Sequence, residues 1–131
     1  MGTRSNTVVY DDDVQILNMY RQMDGYIEGH GLELLKFLEP ITMVNGFSLD
    51  TKGQANGAGC LAAQLVAHFK AGVGGFYIQP PMVQGEHEND FTYTIVAGGD
   101  YSLWVTVHEH GEAIFDGPLA KFKKFIEGYM E

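Results

Sequence analysis

Cysteine is nearly absent from this chain of 131 residues: Cys60 is the only one, so no internal disulfide can form and a reducing cytoplasm is the expected compartment. Arginine is almost as scarce, limited to Arg4 and Arg21, and eight cations in all face 17 acidic residues for a formal net charge of −9. Such a balance repels polyanions at long range and offers no broad basic face, which argues against a nucleic acid duplex as partner. Long apolar runs are missing too. No stretch approaches the roughly 20 residues that cross a bilayer, and the opening MGTRSNTVVYDDD shows no signal-peptide core, so a soluble protein with no membrane partner is expected. Met1-Gly2 alone suggests N-myristoylation, but Arg4 and Asn6 make the match poor.

What is present is globular in composition: 45% of residues are apolar and 19% charged, with no polar tract of the kind that stays disordered. The length leaves no room for a second core, so residues 1–131 are read as a single domain.

Residues 5–10 are β-prone and run into Asp11-Asp12-Asp13, after which Val14 to Met23 is again extended, predicting a hairpin with an acidic turn. Asp24-Gly25 ends it. Tyr26 to Gly31 reads as a loop whose glycines supply unusual backbone angles, and Leu32, Leu35 and Leu38 mark a helix stopped by Pro40. A long loop is expected from Asn45 to Gly59, then a helix with a stripe of Leu61, Leu65, Val66 and Phe69, ended by Gly72, Gly74 and Gly75. Strands follow at Phe76–Gln79, Phe91–Val96, Tyr101–His110 and Glu112–Phe115, the last three forming a meander through turns at Gly98-Gly99-Asp100 and Gly111. Asp116-Gly117-Pro118 opens a closing amphipathic helix with Leu119, Phe122, Phe125, Ile126 and Tyr129 on one face. The class is α+β: an antiparallel sheet with about three helices packed on it.

Both arginines fall in the hairpin. With a two-residue turn they sit directly opposite; with three, Arg4 faces Tyr20 and Arg21 projects from the other face. Convergent guanidinium groups suit a phosphate bidentately, whereas a plain reading ties them to Asp24 or to the acidic turn. The segments Gly25–Gly31 and Gly53–Gly59 both lead into helices and are able to aim backbone N–H groups at an anion, although neither carries a nucleotide-binding signature. Tyr20, Tyr26, Tyr77, Tyr93, Tyr101 and Trp104 are candidate stacking surfaces.

Two catalytic arrangements compete with binding. Cys60 near a helix start, with His108 or His110 on a later strand as base, follows the chain order of a papain-like hydrolase. His108 and His110 share a strand face and would need His87, Glu88 or Asp100 to complete a metal site; a half-exposed strand end accounts for the pair without one. Neither a metal nor any other cofactor is expected.

Met1-Gly2-Thr3-Arg4-Ser5, Tyr20-Arg21-Gln22-Met23-Asp24-Gly25-Tyr26 with Gly29-His30-Gly31, and Asn56-Gly57-Ala58-Gly59-Cys60 together resemble a family of small bacteriophage and bacterial proteins that open with GTRS and carry a YRQxDGYxxGHG block. Ile27 stands where many of those proteins have proline. The resemblance supplies a setting, that of phage proteins that sequester nucleotide signals of the host, and no mechanism.

The expectation is therefore a non-enzymatic binder of a small phosphorylated ligand, contacted by Arg4, Ser5, Tyr20, Arg21, Gln22, Asp24, Tyr26, His30, Asn56, Gly57 and Gly59. A homo-oligomer is compatible with it. The alternatives are a hydrolase using Cys60 and His108, or an inhibitor that presses its acidic face, Asp11, Asp12 and Asp13 included, on a basic host protein.

Overall fold

A computed structural model of the chain describes residues 2–46, 53–83, 85–98 and 102–131. It shows an α+β architecture in which six strands form one mostly antiparallel sheet. In chain order the elements are β1 (Ser5–Asp11), β2 (Val14–Arg21), α1 (Leu32–Leu38), β3 (Thr42–Val44), β4 (Gln54–Asn56), α2 (Gly57–Phe69), β5 (Phe76–Ile78), β6 (Phe91–Ala97), β7 (Leu103–Glu109), β8 (Glu112–Pro118) and α3 (Leu119–Tyr129). The sheet order is β5-β2-β1-β6-β7-β8, while β3 and β4 form a separate parallel pair.

One central pairing was not expected from the hairpin-and-meander pattern: β1 and β6 run parallel, Ser5 beside Phe91 through to Asp11 beside Ala97. The chain segment between them supplies a crossover long enough for a parallel pair, with two helices on the way. The turn Gly99-Asp100 and Tyr101 lie outside the described residues.

Strand alternation sorts the side chains cleanly. Thr7, Val9, Met19, Tyr93, Ile95, Val105 and Val107 point toward the helices, and all are buried. There α2 packs on β1 and β2, α3 packs on β7 and β8, and α1 packs on α3. Leu61 and Leu65 of α2, and Phe122 and Ile126 of α3, are fully buried in the same cluster, as their helical spacing requires. The opposite face carries Asn6, Val8, Tyr10, Asn18, Thr92, Thr94, Thr106 and His108, and among the described residues no helix covers it. Instead the segment after β5, described at residues 79–83 and 85–90, crosses it as a strap.

The strap is pinned by amide side chains. Gln15 treats Met82 as a strand would, accepting from Met82 N at 2.7 Å and donating to Met82 O at 3.0 Å. Asn18 donates to Pro80 O at 2.9 Å, and Asn6 donates to Asn18 Oδ1 at 2.8 Å while accepting from Asn89 at 2.5 Å.

The hairpin register departs from both sequence alternatives. Asp12 and Asp13 form a two-residue turn closed by Asp11 opposite Val14, with Asp12 left-handed at φ 53°. Continued inward, that register would set Arg4 against Arg21. A bulge intervenes: Tyr10 pairs with Gln15 but Val9 with Leu17, so Ile16 is the extra residue and Ser5 faces Arg21.

The stretch expected to be a loop before α1 is a wide helical turn, Ile27–Gly31, in which Gly31 N donates to Tyr26 O at 3.4 Å. Its glycines answer a need for space, not for unusual angles. A Cβ on Gly29 would lie 2.5 Å from Asp24 O, and one on Gly25 would lie 2.7 Å from Ser5 Cβ, whereas the left-handed residue is Asp24 itself, at φ 64°. At the other end of the chain, β8 runs on through Asp116 to Pro118, placing Asp116 opposite Thr106, and Pro118 then caps α3.

Candidate functional site

The residues singled out around the two arginines do not assemble into one site. Arg21 projects to the helix side, where Nε donates to Met23 O at 2.7 Å, one Nη donates to His30 Nδ1 at 3.1 Å, and the same nitrogen forms an ion pair with Glu33. Its guanidinium also lies 4.9 Å from the Phe76 ring centre. Arg4 is exposed and lines a separate hollow of about 270 Å³ with Glu88, Asn89 and Asp90. The expected pairing of guanidinium groups is thus corrected by the bulge, and the partner of Arg21 is Glu33 and not an aspartate of the hairpin.

His30 is the centre of what Arg21 does. It is fully buried between Phe69 and Tyr93, with ring centres 5.0 and 4.9 Å away, and its Nε2 lies 2.6 Å from Thr7 Oγ1. Because a guanidinium only donates, Nδ1 must accept, so Nε2 carries the proton and donates to Thr7. Burial first, and the Arg21 charge second, push the imidazole pKa down to about 3, which keeps the ring neutral in this role.

The rest of the block serves the same clasp. Tyr93 donates to Gly25 O at 2.7 Å, Gly25 N donates to Thr3 O at 2.9 Å, and His30 N donates to Asp24 O at 2.9 Å. Burial raises the Tyr93 phenol far above its ordinary range, so it stays a donor. Gln22 N is spent on Gly75 O at 2.9 Å, Ser5 is fully buried, and Tyr26 reaches Asp24 Oδ1 at 3.4 Å. Tyr20 lies beside Tyr77, with ring centres 6.1 Å apart.

In the second glycine segment Asn56 accepts from Gly46 N at 2.7 Å, and Gly57, at φ 81°, begins α2. Nothing lies within 4 Å of a Cβ placed on Gly59. Cys60 is partly buried, and its thiol faces Gln64 Oε1 at 3.7 Å. His108 points to the strap side of the sheet while α2 sits on the helix side, so the sheet separates the thiol from the proposed base. His110, in the left-handed turn after β7 at φ 50°, pairs with Asp90 at 3.8 Å instead of joining His108. Among the described residues no cluster of three or more His, Cys, Asp or Glu side chains forms a metal-sized group; Asp100 lies outside them.

The strap side holds the more open geometry. A hollow of about 520 Å³ lies between the sheet and the strap, within the 300 to 1,000 Å³ typical of ligand sites. Val8 and Val96 give it an apolar floor, and Tyr10, Gln15, Thr92, Thr94, Thr106, His87 and His108 supply polar groups. Asp12 and Asp13 stand at its rim, and its lining includes no lysine or arginine among the described residues.

The two imidazoles are stacked, 4.3 Å between centres and 27° between planes, with His87 Nδ1 3.0 Å from Thr92 Oγ1. Burial, then the neighbouring His87, holds His108 below the ordinary histidine pKa, against a smaller opposing pull from Asp116. Its Nδ1 is buried and has no hydrogen-bond partner among the described residues, an arrangement that typically costs about 1 to 3 kcal/mol.

Beside the hollow, Trp104 is directly opposite Val96 and 45% exposed. Its Nε1 donates to Asp116 Oδ1 at 2.6 Å, and Thr106 Oγ1 donates to the same oxygen at 2.8 Å. Those bonds, Trp104 first, hold the Asp116 carboxyl below its usual range.

Of this site the sequence points to His108 as base or metal ligand, His87 as a further metal ligand, Trp104 as a stacking surface, and Asp12 and Asp13 as part of an acidic face. The signal available was alternation: Thr92 and Thr94, then Trp104, Thr106 and His108, are polar or amphipathic at every second position, and the residues between them, Tyr93, Val105 and Val107, are mainly apolar. The chain matches no family model, no curated protein and no solved structure.

Proposed function

We propose that the protein is a non-enzymatic binder that holds one small polar molecule in the hollow between its sheet and its strap. The observation that carries this reading is a cavity of about 520 Å³ whose hydroxyl, amide and imidazole groups converge over an apolar floor. Catalysis lacks comparable support. The Thr92 hydroxyl is engaged by His87, and Cys60 has the sheet between it and His108.

A phosphorylated ligand, the expectation from the arginines, gains no support from their placement: Arg21 is already paired with Glu33, and the hollow is ringed by Asp12 and Asp13. An uncharged polar ligand fits better. Taken with the resemblance to phage proteins, a binder of this kind acts by sequestering a host-cell metabolite.

Chemical-shift mapping by NMR with a library of small polar molecules tests the proposal, with inorganic phosphate and adenosine monophosphate as anionic members. The expected result is a set of shifts confined to Tyr10, Thr94, Thr106 and His87. Shifts centred on Arg4 or on Gly57 and Gly59, or none anywhere, overturn it.

A further inference from the structure

Resting on that reading of the hollow, we infer that its ligand is a neutral saccharide that stacks on Trp104 and spends its hydroxyl groups on the threonines and carboxylates beside it. Trp104 is the one tryptophan of the chain, and nearly half its surface is in water. Exposing so large an apolar ring is unfavourable, and here the ring is also held still: its N–H is fixed on Asp116, which Thr106 holds from a second side. An immobilised indole next to a cavity is a ready stacking surface, since little side-chain freedom is left to lose on binding.

A pyranose ring presents C–H bonds on one face and hydroxyls around its edge, so it needs a flat aromatic, short polar side chains and no countercharge. All three occur together. Val96, opposite Trp104, and Thr106, two residues along the same strand face, both line the hollow, so platform and cavity are continuous. Asp12 and Asp13 have no ion-pair partner among the described residues, and Asp116 Oδ2 is without a hydrogen bond among them. Carboxylates in that state accept strongly from vicinal hydroxyls. They also act against phosphate esters, as does the net charge of −9.

The test is isothermal titration calorimetry of the intact protein with neutral disaccharides built from glucose, galactose, mannose and N-acetylglucosamine, beside spermidine and glucose 6-phosphate. Trp104 fluorescence serves as an internal reporter. At least one neutral disaccharide is expected to bind and to perturb the emission. Trp104→Ala should weaken it roughly tenfold or more, while Trp104→Phe, which keeps a ring, retains most of the affinity.

Circular dichroism of both variants separates lost binding from lost folding. Binding of spermidine or glucose 6-phosphate in preference to every neutral sugar overturns the inference, as does a sugar whose affinity is unchanged in Trp104→Ala. If the polar library shifts the hollow and no disaccharide binds, the saccharide inference fails and the binding site stands. Silence in both experiments removes both.

Discussion

Two polar clusters lie back to back on the same sheet, and they differ in whether a cavity adjoins them. On the helix side Arg21, His30, Thr7, Tyr93 and Gly25 are joined by hydrogen bonds, with the imidazole and the phenol fully buried. Each side keeps a buried atom without a hydrogen-bond partner among the described residues, Ser5 Oγ on the helix side and His108 Nδ1 on the strap side; the strap side adds a cavity, at which Asp12 and Asp13 have no ion-pair partner among those residues. A packed network of hydrogen-bonded groups fixes one structure, whereas polar groups that line a cavity leave donors and acceptors for something else. The most distinctive motif of the sequence thus belongs to the scaffold, and the candidate site is made of ordinary residues.

Breaking the helix-side clasp should have the largest effect. His30→Ala removes a buried ring from between Phe69 and Tyr93 and strands the Thr7 hydroxyl, so a loss of about 3 to 5 kcal/mol is expected from urea unfolding. Acid should act on the same residue. Its pKa is about 3 when folded against 6.5 for the free side chain, so the unfolded chain binds the extra proton between those values. Stability therefore falls as pH drops below 6.5 and stops falling through this group near 3, a span worth roughly 5 kcal/mol. His108, also lowered, adds in the same direction from 6.5 downward. Unfolding midpoints at pH 7, 5.5 and 4 measure the slope, which should flatten in a foldable His30→Asn variant.

Smaller effects sharpen the contrast. Tyr93→Phe deletes only the bond to Gly25 O and should cost about 1 to 1.5 kcal/mol while leaving ligand affinity alone. Thr94→Val and Thr106→Val, on the strap side, should change stability by no more than about 0.5 to 1 kcal/mol yet weaken any ligand of the hollow several-fold. Equal losses of affinity from Tyr93→Phe and Thr94→Val would erase the division between scaffold and site.

Much of the fold was legible because its periodicities are clean. Leu61, Leu65 and Phe69, and Phe122 and Ile126, announce two helices, and Asp11-Asp12-Asp13 announces the hairpin. The register was not, because one bulged residue, Ile16, moves every pair beyond it and has no signature in the residue types. Nor was the parallel pairing of β1 with β6, which depends on where a long crossover docks.

The site was hidden for a related reason. The alternation in β6 and β7 marks a polar face, but the strap that turns that face into a cavity has no period, and its seat depends on Gln15, Asn18 and Asn6, three amides scattered along the hairpin. Glycines misled in the opposite direction: Gly25 and Gly29 were read as flexible anion cradles, whereas neighbouring atoms leave no space for a methyl group.

The parallel contact between β1 and β6 has a consequence for how the molecule is made. Ser5 meets Phe91, so β1 stays without one of its two sheet neighbours until the whole crossover and β6 have been synthesised. Until then the Val8-Val9 segment is paired on one edge alone, and an open strand edge of that kind is exposed to wrong pairing.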